Sequence, residues 1–255
     1  SNNRPAGENI RIGETIIAAG TRMGPADIGI AAAAGYPKLT VCRRLVVGLV
    51  SMGDEIVEPG MTPTFGQSFD SNRPMLRALV VADGHEVQDF PIVPDNVDAL
   101  LNAYRNALAN CDVVISSGGA SDGDEDHTQA AMRMIGAELV FWRLAMKPGR
   151  PMAVGSLGRK KLFCLPGNPV AAFVCYRLLA APALAVMAVG MAKDILRIPV
   201  RSGFAHKKRP GRAEYLRVKL QADAAGGVVM QLHGRRGAGV LSSLTAADGL
   251  IEIPV

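Results

Sequence analysis

Cysteine is scarce in these 255 residues, and its four copies, Cys42, Cys111, Cys164 and Cys175, include no C-x-x-C pair. Three of them sit inside apolar runs, which marks small buried hydrophobes and argues against a structural zinc site or a disulfide framework. Aromatic residues make up only 5% of the chain, with a single tryptophan. A stacking surface for single-stranded nucleic acid needs more of them, interleaved with basic residues. Long apolar runs are missing as well. The longest candidate, residues 178–189, is broken by Pro182 and falls short of the roughly 18 residues a membrane span requires. The opening Ser1-Asn2-Asn3-Arg4-Pro5 lacks the apolar core of a signal peptide. A cytoplasmic location is therefore expected, with neither membrane nor nucleic acid as partner. No internal repeat, no low-complexity tract, no Gly-Lys-Ser/Thr loop and no G-x-G-x-x-G fingerprint occurs.

What is present is ordinary globular material, 49% hydrophobic and 20% charged, long enough for one large domain and a smaller one. The formal charge is +5, and the excess is concentrated. His206, Lys207, Lys208, Arg209, Arg212 and Arg217 fall within residues 201–217, with Arg235 and Arg236 close behind. Such a cluster suits a polyanionic ligand, and a solvated basic face is the plain alternative.

Three regions follow from the patterning. Residues 1–44 hold a short helical pattern at 28–34 and a strand pattern at 39–42, too little for a core of their own. They read as the remnant of an amino-terminal or linker region. From 45 to 190, strand and helix patterns alternate. Strands are expected at 45–50, 86–93, 112–115, 138–143, 152–155 and 161–165. Between them lie a helix capped by Ser71 and closed by Gly84, an amphipathic helix over 96–109, and one from Thr128 to Gly136. A long helix starts at Val170. Alternation at this spacing predicts an α/β domain with a mostly parallel sheet flanked by helices. From 191 to 255, short runs at 196–200, 215–220, 228–232 and 250–253 predict a small all-β domain.

Ligands of parallel sheets bind outside the carboxyl ends of the strands, so the loops that follow the strands carry the chemistry. They read Ser51-Met52-Gly53-Asp54-Glu55, then Ser116-Ser117-Gly118-Gly119-Ala120-Ser121-Asp122-Gly123-Asp124-Glu125-Asp126, then Lys147-Pro148-Gly149-Arg150-Pro151, then Pro166-Gly167-Asn168-Pro169. The Ser/Gly loop suits an anion, because its glycines let backbone N–H groups turn inward ahead of a helix N-terminus. Lys147 and Arg150 are cations held by a proline-stiffened turn, with Arg143 four residues earlier. The acidic cluster Asp122, Asp124, Glu125 and Asp126 has two readings. It holds a divalent cation together with Asp54 and Glu55, or it caps the following helix. His127 pairs with no nucleophile in sequence and reads as a surface histidine.

Together these loops resemble the molybdopterin molybdotransferase family, the MoeA type that includes the gephyrin E domain. The resemblance rests on the segments 51–55, Asp70-Ser71-Asn72, 117–124, Phe141-Trp142-Arg143, 147–151 and Leu165-Pro166-Gly167-Asn168-Pro169. The stretches Arg212-Ala213-Glu214-Tyr215-Leu216-Arg217 and Gly239-Val240-Leu241-Ser242-Ser243 resemble that family's final β-barrel domain. The resemblance implies a molybdopterin-binding, MogA-like α/β domain followed by that barrel. It implies insertion of molybdate into adenylylated molybdopterin with release of AMP, aided by Mg2+, in a homodimer that can meet molybdoenzyme maturation proteins. By position it assigns Asp54, Glu55, Asp95, Asp126 and Lys147 to catalysis, with Asp54, Glu55 and Asp126 as metal ligands. Ser117, Gly118, Gly119 and Ser121 are assigned to the pterin phosphate, and Asp124, Pro166, Gly167 and Asn168 to cofactor binding. Arg143 goes to the pterin site, and Lys147, Arg150, Pro151, Arg212 and Ser243 to the molybdate pocket.

The sequence departs from the family at several positions. Ala120 and Asp122 stand where Val-Ser-Val is usual, and Glu125-Asp126-His127 stand for Tyr-Asp-Tyr. Arg143 and Arg150 replace lysines, and Ala171 replaces a serine. Arginine keeps the charge and changes the donor geometry. The chain also looks shortened at its amino end. Two other readings are a pterin- or nucleotide-binding relative with adenylyltransferase or pyrophosphatase activity, and a non-catalytic scaffold.

Overall fold

The computed structural model describes residues 4–119, 127–189 and 195–255. The amino-terminal segment forms one helix, α1 (Pro25–Ala33), and no strand. Pro25 occupies the first turn, and the Asp27 carboxylate accepts the Gly24 N–H at 2.7 Å, so the helix starts three residues before the hydrophobic pattern does. The strand expected at 39–42 is absent: it finds no partner, and Leu39 and Val41 stay exposed.

The α/β part comprises β1 (Val46–Ser51), the short parallel pair β2 (Ile56–Val57) and β3 (Ser68–Phe69), α2 (Asn72–Ala82), β4 (Glu86–Asp89), α3 (Val97–Asn110), β5 (Val113–Ser117), α4 (His127–Met134), β6 (Glu138–Trp142), β7 (Met146–Lys147), β8 (Ala153–Leu157), β9 (Lys160–Leu165), α5 (Pro169–Cys175) and α6 (Ala181–Val189). The central sheet has the order β4-β1-β5-β9-β8-β6. The first four strands are mutually parallel, and β8 runs against both β9 and β6. Strand β6 therefore runs with the parallel set. Its carboxyl end opens on the same edge as those of β1, β5 and β9.

Both faces of this sheet are covered. Val47, Leu49, Val113 and Ile115 pack with Leu76, Leu79 and Val80 of α2 and with Val170, Tyr176 and Leu184 of the last helix. Val50, Val114, Leu162 and Cys164 face Leu100, Leu101, Tyr104 and Met132 of α3 and α4. Burial on both sides is why these strands read as unbroken apolar runs. Gly48 interrupts one of them because a Cβ there would lie 3.1 Å from both Cys111 Sγ and Phe90 on the α3 side. All four cysteines are free, and Cys111, Cys164 and Cys175 are buried.

Local differences from expectation have local causes. The cap of α2 is Asp70, whose Oδ1 accepts the Asn72 and Arg73 N–H groups at 3.1 Å each; Ser71 contributes no side-chain cap. Strand β4 stops at Asp89, and only Val93 rejoins the sheet, as a bridge to Met52. The last helix runs without a break from Pro169 to Val189, 21 residues, long and apolar enough to cross a membrane by length and composition, contrary to the broken segment expected. Its buried residues belong to the core. A π-turn (Tyr176–Ala180), closed by the Ala181 N–H on the Tyr176 carbonyl, resets the ladder just before Pro182, which has no N–H to give.

The carboxyl-terminal part holds β10 (Arg201–Ser202), β11 (Ala213–Ala222), β12 (Val228–Leu232), a 3-10 turn (Leu241–Ser243) and β13 (Gly249–Ile253). They pair in the order β10-β12-β11-β13. The strand expected at 196–200 is absent, with Leu196 and Ile198 exposed, and pairing begins only at Arg201. The fifth strand of this sheet is β7, which lies inside the α/β region of the chain and pairs in parallel with β11. The two parts are thus stitched together by main-chain hydrogen bonds.

Candidate functional site

The loops after β1, β4 and β5 are locked to one another by their backbones. The Met52 N–H donates to the Ser117 carbonyl at 3.0 Å, the Val93 N–H to Ser51 at 2.8 Å, and the Gly53 N–H to Val93 at 3.1 Å. Gly118 and Gly119 have φ of +90° and +69°. A Cβ on Gly118 would be driven into the Met52 carbonyl oxygen, and one on Gly119 into the Met52 sulfur. These two glycines allow the β5 loop to lie flat against the β1 loop. Below them, Ser116 Oγ is 2.8 Å from the buried Tyr104 hydroxyl. Ser117 is buried, while Gly167 and Asn168 on the neighbouring β9 loop are exposed. Asn72, quoted above only as part of a motif, ties α2 to that loop by donating Nδ2–H to the Gly167 carbonyl at 2.7 Å.

The acidic residues gather at the β4/β1/β5 end of the edge. Asp54 Oδ1 accepts the Asp95 N–H at 3.2 Å, and the Asp95 carboxylate stands 3.9 Å from His127 Nε2. Asp54, Glu55 and Asp95 are all exposed. Their donors are oxygen only and open to water, which fits a magnesium ion, a metal that keeps much of its hydration shell. Among the described residues no three His, Cys, Asp or Glu side chains converge as a metal site. Asp126, the third expected ligand, lies outside the described residues, as do Ser121 and Asp124.

The basic residues gather at the other end. After β6 the chain turns through Arg143, whose φ is +67°, and closes on itself with Leu144 N–H donating to the Arg150 carbonyl at 2.9 Å and Arg143 N–H to Met152 at 3.0 Å. The turn contains a cis Lys147–Pro148 bond and Gly149 at φ +109°, where a Cβ would stand 2.5 Å from Cys175 Sγ. The Ala213 N–H reaches across from the second sheet to the Ala145 carbonyl at 2.9 Å. The result is a pocket of about 450 Å³ lined by Arg143, Leu144, Ala145, Arg150, Pro210, Gly211 and Arg212. Three arginines, two from the loops of the first sheet and one from the second, thus line one space, with the Arg143 guanidinium also over the Trp142 ring; such a set suits an oxyanion. A larger cavity of about 910 Å³ lies under residues 14–23 and 39–44, away from this edge.

Lys147 and Ser243 are placed differently from the arginines. The Lys147 ammonium is 3.3 Å from Glu214 Oε1, and Glu214 is also 2.8 Å from His206 Nε2. Ser243 is buried; its Oγ–H donates to the Val240 carbonyl at 2.6 Å and its oxygen accepts from Arg217 Nε at 3.0 Å. Arg217, itself buried, also donates to the carbonyls of Arg235 and Gly237. It therefore pins the loop whose Ala238 carbonyl receives the Val170 N–H at the start of α5. Burial lowers its pKa from the ordinary arginine value. His206 and Arg217 were legible only as members of a basic stretch and Glu214 only as part of a motif, because their partners are distant in sequence.

The fold and its loop edge are those of an α/β protein, and the comparisons give its class. The chain belongs to the family described as "Probable molybdopterin binding domain", which matches residues 48–186, more than half of its length; the MoeA C-terminal region (domain IV) matches residues 199–255. It is 32% identical over 255 residues to a molybdopterin molybdenumtransferase of Haemophilus influenzae and 28% identical over 250 residues to one of Staphylococcus aureus. These alignments cover 99% and 97% of this chain but 62% and 59% of those proteins. The chain thus spans about three fifths of the relatives it matches. Among solved structures, a molybdopterin biosynthesis MoeA protein from Pyrococcus horikoshii superposes with a TM-score of 0.77 at 30% identity, covering 94% of this chain and 57% of that one.

Proposed function

We propose that this chain carries the site of a molybdopterin molybdenumtransferase, which inserts molybdate into adenylylated molybdopterin and releases AMP during molybdenum cofactor biosynthesis. One observation carries the reading: a three-arginine pocket and a group of exposed carboxylates stand at opposite ends of one sheet edge, with glycine loops between them. A ligand with a compact oxyanion at one end and a phosphoanhydride at the other suits such an edge. The loops of Gly118, Gly119, Gly167 and Asn168 receive the phosphate. Arg150 and Arg212 hold the molybdate, with Lys147 beside them and Arg143 toward the pterin.

In this reading Asp54 and Glu55, with Asp126, would hold a Mg2+ ion, which would supply positive charge to offset that of the phosphates when water cleaves the anhydride into AMP and the phosphorylated pterin. Asp95 orients its neighbour Asp54 through the backbone contact. The relatives' names support molybdopterin and molybdenum as what is joined, the family resemblance supports the adenylylated form and a homodimer, and the cytoplasmic location stays an expectation from the sequence. The test is direct. Adenylylated molybdopterin is supplied with and without molybdate, and AMP release and bound molybdenum are measured. Release that ignores molybdate and leaves no metal on the pterin sinks the proposal and favours a pyrophosphatase.

A further inference from the structure

Lys147 lies two residues from Ala145 and three from Arg150, both of which line the arginine pocket. Its ammonium, 59% exposed as a side chain, is engaged by Glu214, whose side chain is only 8% exposed. Residues 147 and 214 are direct partners in the parallel pairing of β7 with β11, so this contact is built into the junction of the two sheets. The second oxygen of Glu214 faces His206 Nε2, and the His206 side chain is 9% exposed. With Nε2–H donated to Glu214, Nδ1 is the bare ring nitrogen. It is buried with no hydrogen-bond partner among the described residues.

We infer that Glu214 is a resident competitor for Lys147: it occupies the ammonium while the pocket is empty and yields it when an oxyanion binds, with His206 then carrying the carboxylate. The inference rests on the proposed reading of the pocket as an oxyanion site. A buried carboxylate left with no donor is costly, and one that keeps a second donor is not. His206 is therefore what makes the exchange affordable. The Glu214 carboxyl already leans on both donors: burial pushes its pKa up, yet hydrogen bonds and charge from His206 and Lys147 bring it below the usual value. Glu214 is a positioning residue here, acting on the ligand only through Lys147.

The inference predicts effects of opposite sign. Molybdate alone is titrated calorimetrically into the 255-residue chain and its variants. Lys147→Gln weakens binding. Glu214→Gln, which leaves Lys147 without a rival, tightens it roughly three- to fivefold, the scale of a partly exposed ion pair. His206→Ala, which throws Glu214 wholly onto Lys147, weakens it by roughly twofold. A merely structural role moves both variants in the same direction, and a thermal melt of each confirms folding. Should Glu214→Gln not fold, His206→Ala decides: weaker binding supports the exchange, and unchanged or tighter binding overturns it. If Lys147→Gln weakens binding while Glu214→Gln and His206→Ala shift it alike or not at all, only the competitor role falls. No binding by the parent chain, or equal binding by Lys147→Gln, overturns the oxyanion reading and this inference with it.

Discussion

The two ends of the sheet edge are built by opposite means. At the acidic end, Asp54 and Asp95 sit on loops that follow neighbouring strands β1 and β4, and backbone bonds within one sheet bring them together. At the basic end, Arg143 and Arg150 come from the first sheet, and Arg212 and Glu214 come from the second. The carboxylates of Asp54, Glu55 and Asp95 are exposed. The basic end instead includes the buried carboxylate of Glu214 and a largely covered histidine, His206, beside the exposed lysine. An end assembled within one sheet tolerates change in the other domain, whereas an end assembled between sheets depends on their junction.

The largest effect should come from the cradle that both ends share. Gly118→Val requires a side chain at φ +90° and inside the Met52 carbonyl. A loss of about 3 kcal/mol or more is expected, read by urea denaturation, with both ends damaged together. If the protein keeps its stability, the two loops are not locked as described. Next in size, Arg150→Ala should weaken molybdate binding by about 2 kcal/mol, the worth of a charge-assisted hydrogen bond, while Asp54→Asn leaves that affinity unchanged. Equal losses in both variants, measured by the same titration, would mean that the ends do not act separately.

The smallest effect concerns pH. Glu214 is held below its ordinary pKa of 4.5 in the folded chain. A depressed carboxylate contributes stability that is present above the unfolded value and lost as pH falls through the folded one. The stability difference between the parent and Glu214→Gln should therefore be constant near neutrality and shrink below pH 4.5. A difference that grows on acidification, in denaturation curves at several pH values, would show that the carboxylate is not held as its charged form.

Most of the α/β layout was legible from particular residues. The largely apolar stretches at 45–50 and 112–115 fit strands covered on both faces, and the period through Val97, Leu100, Leu101, Tyr104 and Leu108 fits an amphipathic helix. The failures share a cause. Residues 39–42 and 196–200 have strand-like composition, but a strand exists only where another offers its hydrogen bonds. Ser71 looks like a cap, yet Asp70 one residue earlier reaches the same N–H groups. In the candidate site, Asp54 and Glu55 could be picked out because they follow the expected strand at 45–50, and Arg143, Lys147 and Arg150 because they lie at or just beyond the end of the one expected at 138–143. Glu214, His206 and Arg217 could not, since Glu214 and Arg217 are buried at positions of opposite parity in β11 and the partners of all three lie far away in sequence.

By itself the sequence determined the main alternation of strands and helices in the α/β part, the glycines that shape the edge loops, and the supply of cations, because periodicity, backbone freedom and charge are local properties. Only the tertiary structure decided that β7 leaves its own sheet to pair with β11, and therefore that Lys147 faces Glu214 while three arginines share one pocket. Hydrogen-bond partners and buried charge are set by which distant segments meet, and that is a property of the packed molecule.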